Sequence, residues 1–259
     1  MKIQVTSPCF DDIGEVLKSM DLPFEQYELK NKIDCEILFL NCGTLDDVDK
    51  EELECFVKGG GVLYASDLTS SLIEYAFPNI FTFKGSGDVC TLNAEVVDVR
   101  LIKYIGKNVS VTFDLGGWSM LDKIATGRVI IKRIDTGKPL MVEVPYGKGR
   151  IYYTSFHNHV QASDKEVALL KLLVLTQLSV RSDKTIEEAA DLIGFDLGNI
   201  KDKFSVPIVP NKSSSDKLQE VATNNKNVDS IMSKWDKQSG VPQKERQSLP
   251  DINSTLSKF

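Results

Sequence analysis

Three features of this chain predict an α/β architecture. Strand-like and helix-like runs alternate as far as Pro78, at the spacing of right-handed βαβ units. The run CEILFLNC, Cys35 to Cys42, is apolar almost throughout, as a strand covered on both faces must be. Beyond Pro78 the rhythm changes to β-branched and aromatic runs joined by glycine-containing turns, the pattern of antiparallel hairpins.

Taken in order, Lys2–Ser7 (KIQVTS) reads as a first strand. Asp11–Met20 follows as a helix, with Ile13, Val16, Leu17 and Met20 at helical spacing and acids in the first turn. Phe24–Leu29 reads as a second strand and Cys35–Cys42 as a third. The next helix is expected within Thr44–Gly60, capped by Thr44, with Leu53, Phe56 and Val57 on its apolar face and Gly59–Gly60 as its stop. Gly61–Ser66 (GVLYAS) is another buried strand, and Asp67 opens another helix.

Residues 81–145 form the expected antiparallel β insertion, with hairpin connections at DTGKP and YGKGR. Lys148 lies in the second of these, on a solvated turn. The chain rejoins the main sheet at IYYTSF, Ile151 to Phe156. A long helix follows from a Ser163 cap, and a shorter one from a Thr185 cap. The division is thus 1–182 for the α/β domain, 183–204 for a short helical extension and 205–259 for a tail. The tail is polar and rich in Ser, Asn and Lys, the composition of a disordered segment. Val228, Ile231, Met232 and Trp235 within it are spaced for one or two amphipathic turns, which read either as a weak local helix in a solvated tail or as a segment docking on a partner through Trp235. The architecture as a whole is a flavodoxin-like three-layer fold: a mostly parallel sheet, an antiparallel β insertion and a disordered C-terminal tail.

The formal net charge of −6 argues against nucleic acid as a partner of the main domain, because such binding needs a basic face. The residues after Met1 turn acidic at Asp11, so no secretory leader is expected. No run reaches the roughly 18 apolar residues of a spanning helix. The 5 cysteines, Cys9, Cys35, Cys42, Cys55 and Cys90, are odd in number and lack any C-x-x-C, so reduced thiols and a cytoplasmic location are expected. Neither GSG at Gly85–Gly87 nor YGKGR has the form of a phosphate loop, and no cofactor is implied.

The only 2 histidines, His157 and His159, follow the last strand in RIYYTSFHNH. With the end of the preceding parallel strand they belong to the C-terminal edge of the sheet, where open α/β folds bind ligands. Asp11 and Asp12 lie at the first strand–helix turn on the same edge, and Asp67 ends the neighbouring strand. Asp11 and Asp12 read either as ligand-facing groups or as helix N-terminal charges favoured by the dipole. Trp118, in FDLGGW, reads as a pocket wall or as a core aromatic.

Two stretches carry a family resemblance: FVKGGGVLYASDLTSSLI, Phe56 to Ile73, and GKPLMVEVPYGKGRIYYTSFHNH, Gly137 to His159. They resemble the class I glutamine amidotransferase-like and ThuA-like superfamily, and with the N-terminal βαβ pattern the likeness covers about residues 1–180. The resemblance implies a nucleophile at Ser66 and a base at His157 or His159. It also exposes departures. The glycine positions flanking a nucleophile elbow hold Tyr64 and Leu68, and the place two residues after each histidine, where triad members keep an acid, holds His159 or Gln161. The resemblance therefore implies a non-catalytic member: a binding or protein-interaction module with its crevice at Asp11, Asp12, Asp67, Trp118, His157 and His159. The alternatives are a hydrolase using Ser66 with His157 or His159, and a metal-assisted hydrolase using Asp67, His157 and His159.

Overall fold

A computed structural model describes residues 1–28, 32–43 and 48–204. The expected Thr44 cap and the expectations for 205–259, including the Val228–Trp235 helix, lie outside the described residues.

In chain order the elements begin with β1 (Ile3–Thr6), α1 (Ile13–Lys18), β2 (Glu25–Tyr27), β3 (Ile37–Leu40), α2 (Lys50–Lys58) and β4 (Val62–Ser66). A 3-10 turn, Asp67–Thr69, then leads into α3 (Ser70–Ala76). Next come β5 (Phe81–Gly87), β6 (Cys90–Val96), α4 (Val99–Ile105), β7 (Asn108–Phe113), β8 (Trp118–Ile124), β9 (Arg128–Arg133), β10 (Pro139–Tyr146) and β11 (Gly149–Thr154). Helices α5 (Asp164–Ser182), α6 (Ile186–Leu192) and α7 (Leu197–Phe204) follow.

One sheet runs in the order β2-β1-β3-β4-β11-β10-β9-β6-β7. Its first five strands pair in parallel, the order of a flavodoxin-like sheet with β11 as the fifth strand. From β11 outward every pairing is antiparallel, so the insertion extends the parallel sheet edge to edge. Strands β5 and β8 form a separate antiparallel pair.

The strand period of two sorts side chains into two cores. Ile37 and Phe39 join the cluster formed with Leu17 of α1 and the apolar face of α5. Leu38 and Leu40 join the opposite cluster, formed with Leu53 of α2 and Ile73 of α3. Full burial of each such side chain stabilises the fold by about 1.5–3 kcal/mol. Every residue of β3 and β4 is buried, which explains their unbroken apolar runs.

Caps set the helix starts. Asp12 accepts the Gly14 N–H and opens α1. Asp49 accepts from Glu51 and Glu52 and opens α2. Ser163 and Thr185 each form a capping box, with Glu166 and Glu188 respectively. Helix α4 corrects the expectation of continuous strand through the insertion. Its buried Leu101, Tyr104 and Ile105 recur at helical spacing, and Asp98 caps it by accepting the Arg100 N–H.

YGKGR is a tight hairpin in which Tyr146 pairs with Gly149, and Lys148 is exposed at its tip. Its second glycine answers to packing. A Cβ on Gly149 would lie 2.2 Å from the carbonyl oxygens of both Gly61 and Val57. Backbone atoms cannot yield there as a flexible side chain would. Gly149→Ala is expected to destabilise the protein by about 1–3 kcal/mol in urea unfolding; a midpoint equal to wild type would contradict this contact.

Candidate functional site

Because β1, β3, β4 and β11 are parallel, the turns after them meet at one edge of the sheet. These turns supply Asp11, Asn41 and Cys42, Asp67, and the His157–His159 run. The edge contains the crossover point between β1 and β3, where ligands bind in open α/β sheets.

Asp11 is the hub of this edge and is buried. Its Oδ1 accepts the backbone N–H of Asn158 at 2.7 Å and that of Asp12 at 2.8 Å. Its Oδ2 accepts the Asn158 side-chain amide at 2.6 Å and the Ser66 hydroxyl at 2.8 Å. The His159 Nδ1 stands 3.4 Å from Oδ1. Burial pushes the Asp11 carboxyl toward its neutral form, but the bonds from His159, Ser66 and Asn158 outweigh it and hold the group below its ordinary range. Asn158 is held in turn by the Tyr64 hydroxyl, which donates to its Oδ1 at 2.6 Å. Next to this hub, Asn41 joins β3 to β1: its amide donates to the Thr6 carbonyl at 2.9 Å, and its Oδ1 accepts the Ile13 N–H at 2.9 Å.

A second network centres on His157, which is 4% exposed. Nε2 lies 3.1 Å from Asp67 Oδ2, and Nδ1 lies 2.8 Å from Asp114 Oδ1. Burial opposes a charge on this ring. The Asp67 carboxylate and the Cys42 sulfur beside it prevail and raise the imidazole to about 11. Both ring nitrogens are therefore protonated at neutral pH, and each donates to a carboxylate. Asp67 Oδ1 accepts the Ser119 N–H at 2.7 Å, and its Oδ2 also receives the Cys42 thiol at 3.6 Å. Burial pushes the Cys42 thiol upward, against the pull of His157.

Asp67 also has a left-handed backbone, with φ of 43°, at the turn from β4 into the 3-10 segment. The Tyr153 hydroxyl donates to its carbonyl at 2.8 Å and braces that turn. Ser66, by contrast, is extended, with φ −121° and ψ 141°, and ends the strand. The strained position of this strand-to-helix turn is thus Asp67, and its neighbours two residues away are Ala65 and Thr69.

The edge brings together Asp11, Ser66, Asp67, His157 and His159. Asp12, partly exposed on the same edge, caps α1 through one carboxylate oxygen. Trp118 is 4% exposed, donates its indole N–H to the Asp88 carbonyl at 2.9 Å and stacks on Phe113 with ring centroids 4.1 Å apart. Both readings of Trp118, pocket wall and core aromatic, have to accommodate this burial. The residue after it, Ser119, reaches the site through its backbone. His159 is 34% exposed on its side chain and stacks on His157 with centroids 5.8 Å apart. Asn41, Cys42, Asp114 and Asn158 were not singled out from the sequence, although the first three each follow a strand.

No protein-family model matches the chain, and no curated relative matches it. Solved structures are similar to it. A β-galactosidase from Bacillus circulans sp. alkalophilus aligns with a TM-score of 0.53 at 11% identity, over 71% of this chain and 31% of its own. What this likeness shows is the fold. The chain spans about a third of that protein's length. A glutamine amidotransferase from Thermotoga maritima aligns with a TM-score of 0.48 at 10% identity, over 78% of this chain and 89% of its own. A ThuA-like protein from Bacteroides uniformis aligns at 0.49 with 7% identity, over 72% of this chain and 94% of its own.

Replacing Asp11 by Asn puts an NH2 group against donors that need an acceptor. Asp11→Asn is expected to cost about 3–5 kcal/mol at pH 7 in urea unfolding. The native carboxyl is depressed, so its contribution is complete above the unfolded-state value of about 3.9 and fades as pH falls through the native one. The gap between wild type and variant therefore narrows below about pH 3.9. A gap that is constant with pH would contradict the assignment.

Proposed function

We propose that this chain is a non-catalytic, amidotransferase-like binding module with its ligand crevice at the C-terminal edge of the sheet. The observation that carries the reading is the state of the would-be nucleophile. Ser66 is buried, extended and donates its hydroxyl to Asp11, and no imidazole is among its hydrogen-bond partners among the described residues. A serine nucleophile needs a neutral imidazole within reach to take its proton.

The strained turn position holds a carboxylate, Asp67, facing His157, with Asp114 on the far side of the ring. This has the outline of a triad but not its chemistry. A base needs a lone pair on Nε2, and Asp67, facing that nitrogen, raises the imidazole toward its protonated form. Beside the buried groups, Asp114 and His159 are partly exposed and can meet a ligand. His159 is held toward its charged form, first by its bond to Asp11.

The partner is a protein, and the polar segment 205–259 is its docking element. A cytoplasmic setting fits the 5 unpaired cysteines, and no helix among the described residues is long and apolar enough to cross a membrane.

Two measurements test the reading. A fluorophosphonate probe is expected to leave the full chain unlabelled; labelling that Ser66→Ala abolishes would establish the hydrolase instead. Affinity capture with the full chain and with a chain ending at residue 204 is expected to recover different proteins. Identical recoveries would remove the tail from the account.

A further inference from the structure

We infer that Cys42, Asp67 and His157 form a binding site for a divalent transition-metal ion of the zinc class. Their ligand atoms, one from each residue, all lie within 4.8 Å of one another, and all three residues are buried. They come from the turns that follow β3, β4 and β11, neighbouring parallel strands of the sheet, which bring those turns to one edge.

The donor set is a thiolate, an imidazole and a carboxylate, the mixture that suits zinc. The surroundings are those of a metal site as well. His157 Nδ1–H donates to Asp114 at 2.8 Å, which directs Nε2 toward Asp67 and Cys42. A carboxylate behind a ligating histidine fixes its tautomer and its orientation. The Ser119 N–H holds Asp67 Oδ1 at 2.7 Å and leaves Oδ2 for the ion. Three protein ligands leave one tetrahedral corner for water.

The ion would bond to Sγ, Oδ2 and Nε2. Thiolate, carboxylate and neutral imidazole are the ligating forms, so binding releases protons to solvent and weakens as pH falls.

Cobalt is the probe, because a thiolate ligand gives it a near-ultraviolet charge-transfer band. Added to metal-free full-length protein, Co2+ is expected to give that band at one equivalent, and Zn2+ to displace it. Cys42→Ser is expected to abolish the band, whereas Cys9→Ser and Cys55→Ser, at the two exposed thiols, leave it intact. Asp114→Asn is expected to weaken affinity about 10–100-fold without removing the band. The site is overturned if folded wild type gives no band, if Cys42→Ser retains it, or if it follows Cys9 or Cys55. Should Cys42→Ser fail to fold, Asp114→Asn decides, and unchanged affinity overturns the site. None of these outcomes depends on the labelling of Ser66.

Discussion

The buried carboxylate of Asp11 is the constraint on which this edge depends. It belongs to the turn after β1, yet its partners come from the end of β4 and from the run after β11. A charge taken out of water is tolerated only when its lone pairs are filled. Here two backbone N–H groups, an amide and a hydroxyl fill them at 2.6–2.8 Å. Three separate turns are therefore fixed relative to one another by one residue, and Asn158, between the two histidines in the chain, is seated by Asp11 and Tyr64.

The same constraint bears on the chemistry. Ser66 donates its hydroxyl to Asp11. His157 lies between Asp67 and Asp114, one carboxylate facing each ring nitrogen. The left-handed turn at Asp67 aims its carboxylate at Nε2 and the Cys42 thiol. The strand-to-helix turn thus presents a carboxylate, an imidazole and a thiol to one another.

Much of the parallel half was legible in the sequence, because a strand buried on both faces has nowhere to place a polar side chain. CEILFLNC and GVLYAS announce β3 and β4 for that reason, and the capping signals at Ser163 and Thr185 mark true helix starts. Helix α4 was hidden because VVDVRLIKYIG is rich in β-branched residues; tertiary burial of Leu101, Tyr104 and Ile105 decides its form. The resemblance led to Ser66, one residue short of the strained turn. Backbone φ is not written in a sequence, and Asp tolerates the left-handed region that a bulky residue avoids. Asp114 and Cys42 were equally silent. Each becomes chemical only beside His157, and Asp114 reaches it from the antiparallel insertion.

The central claim is that Asp11 holds the edge by engaging Ser66 directly. A double-mutant cycle of Asp11→Asn and Ser66→Ala, read by urea unfolding at pH 7, measures that engagement with least interference from the other bonds. The account predicts that the two losses overlap, with a coupling energy of about 1.5–3 kcal/mol, the range for a hydrogen bond to a charged group. Losses that simply add, with no coupling beyond experimental scatter, would contradict it.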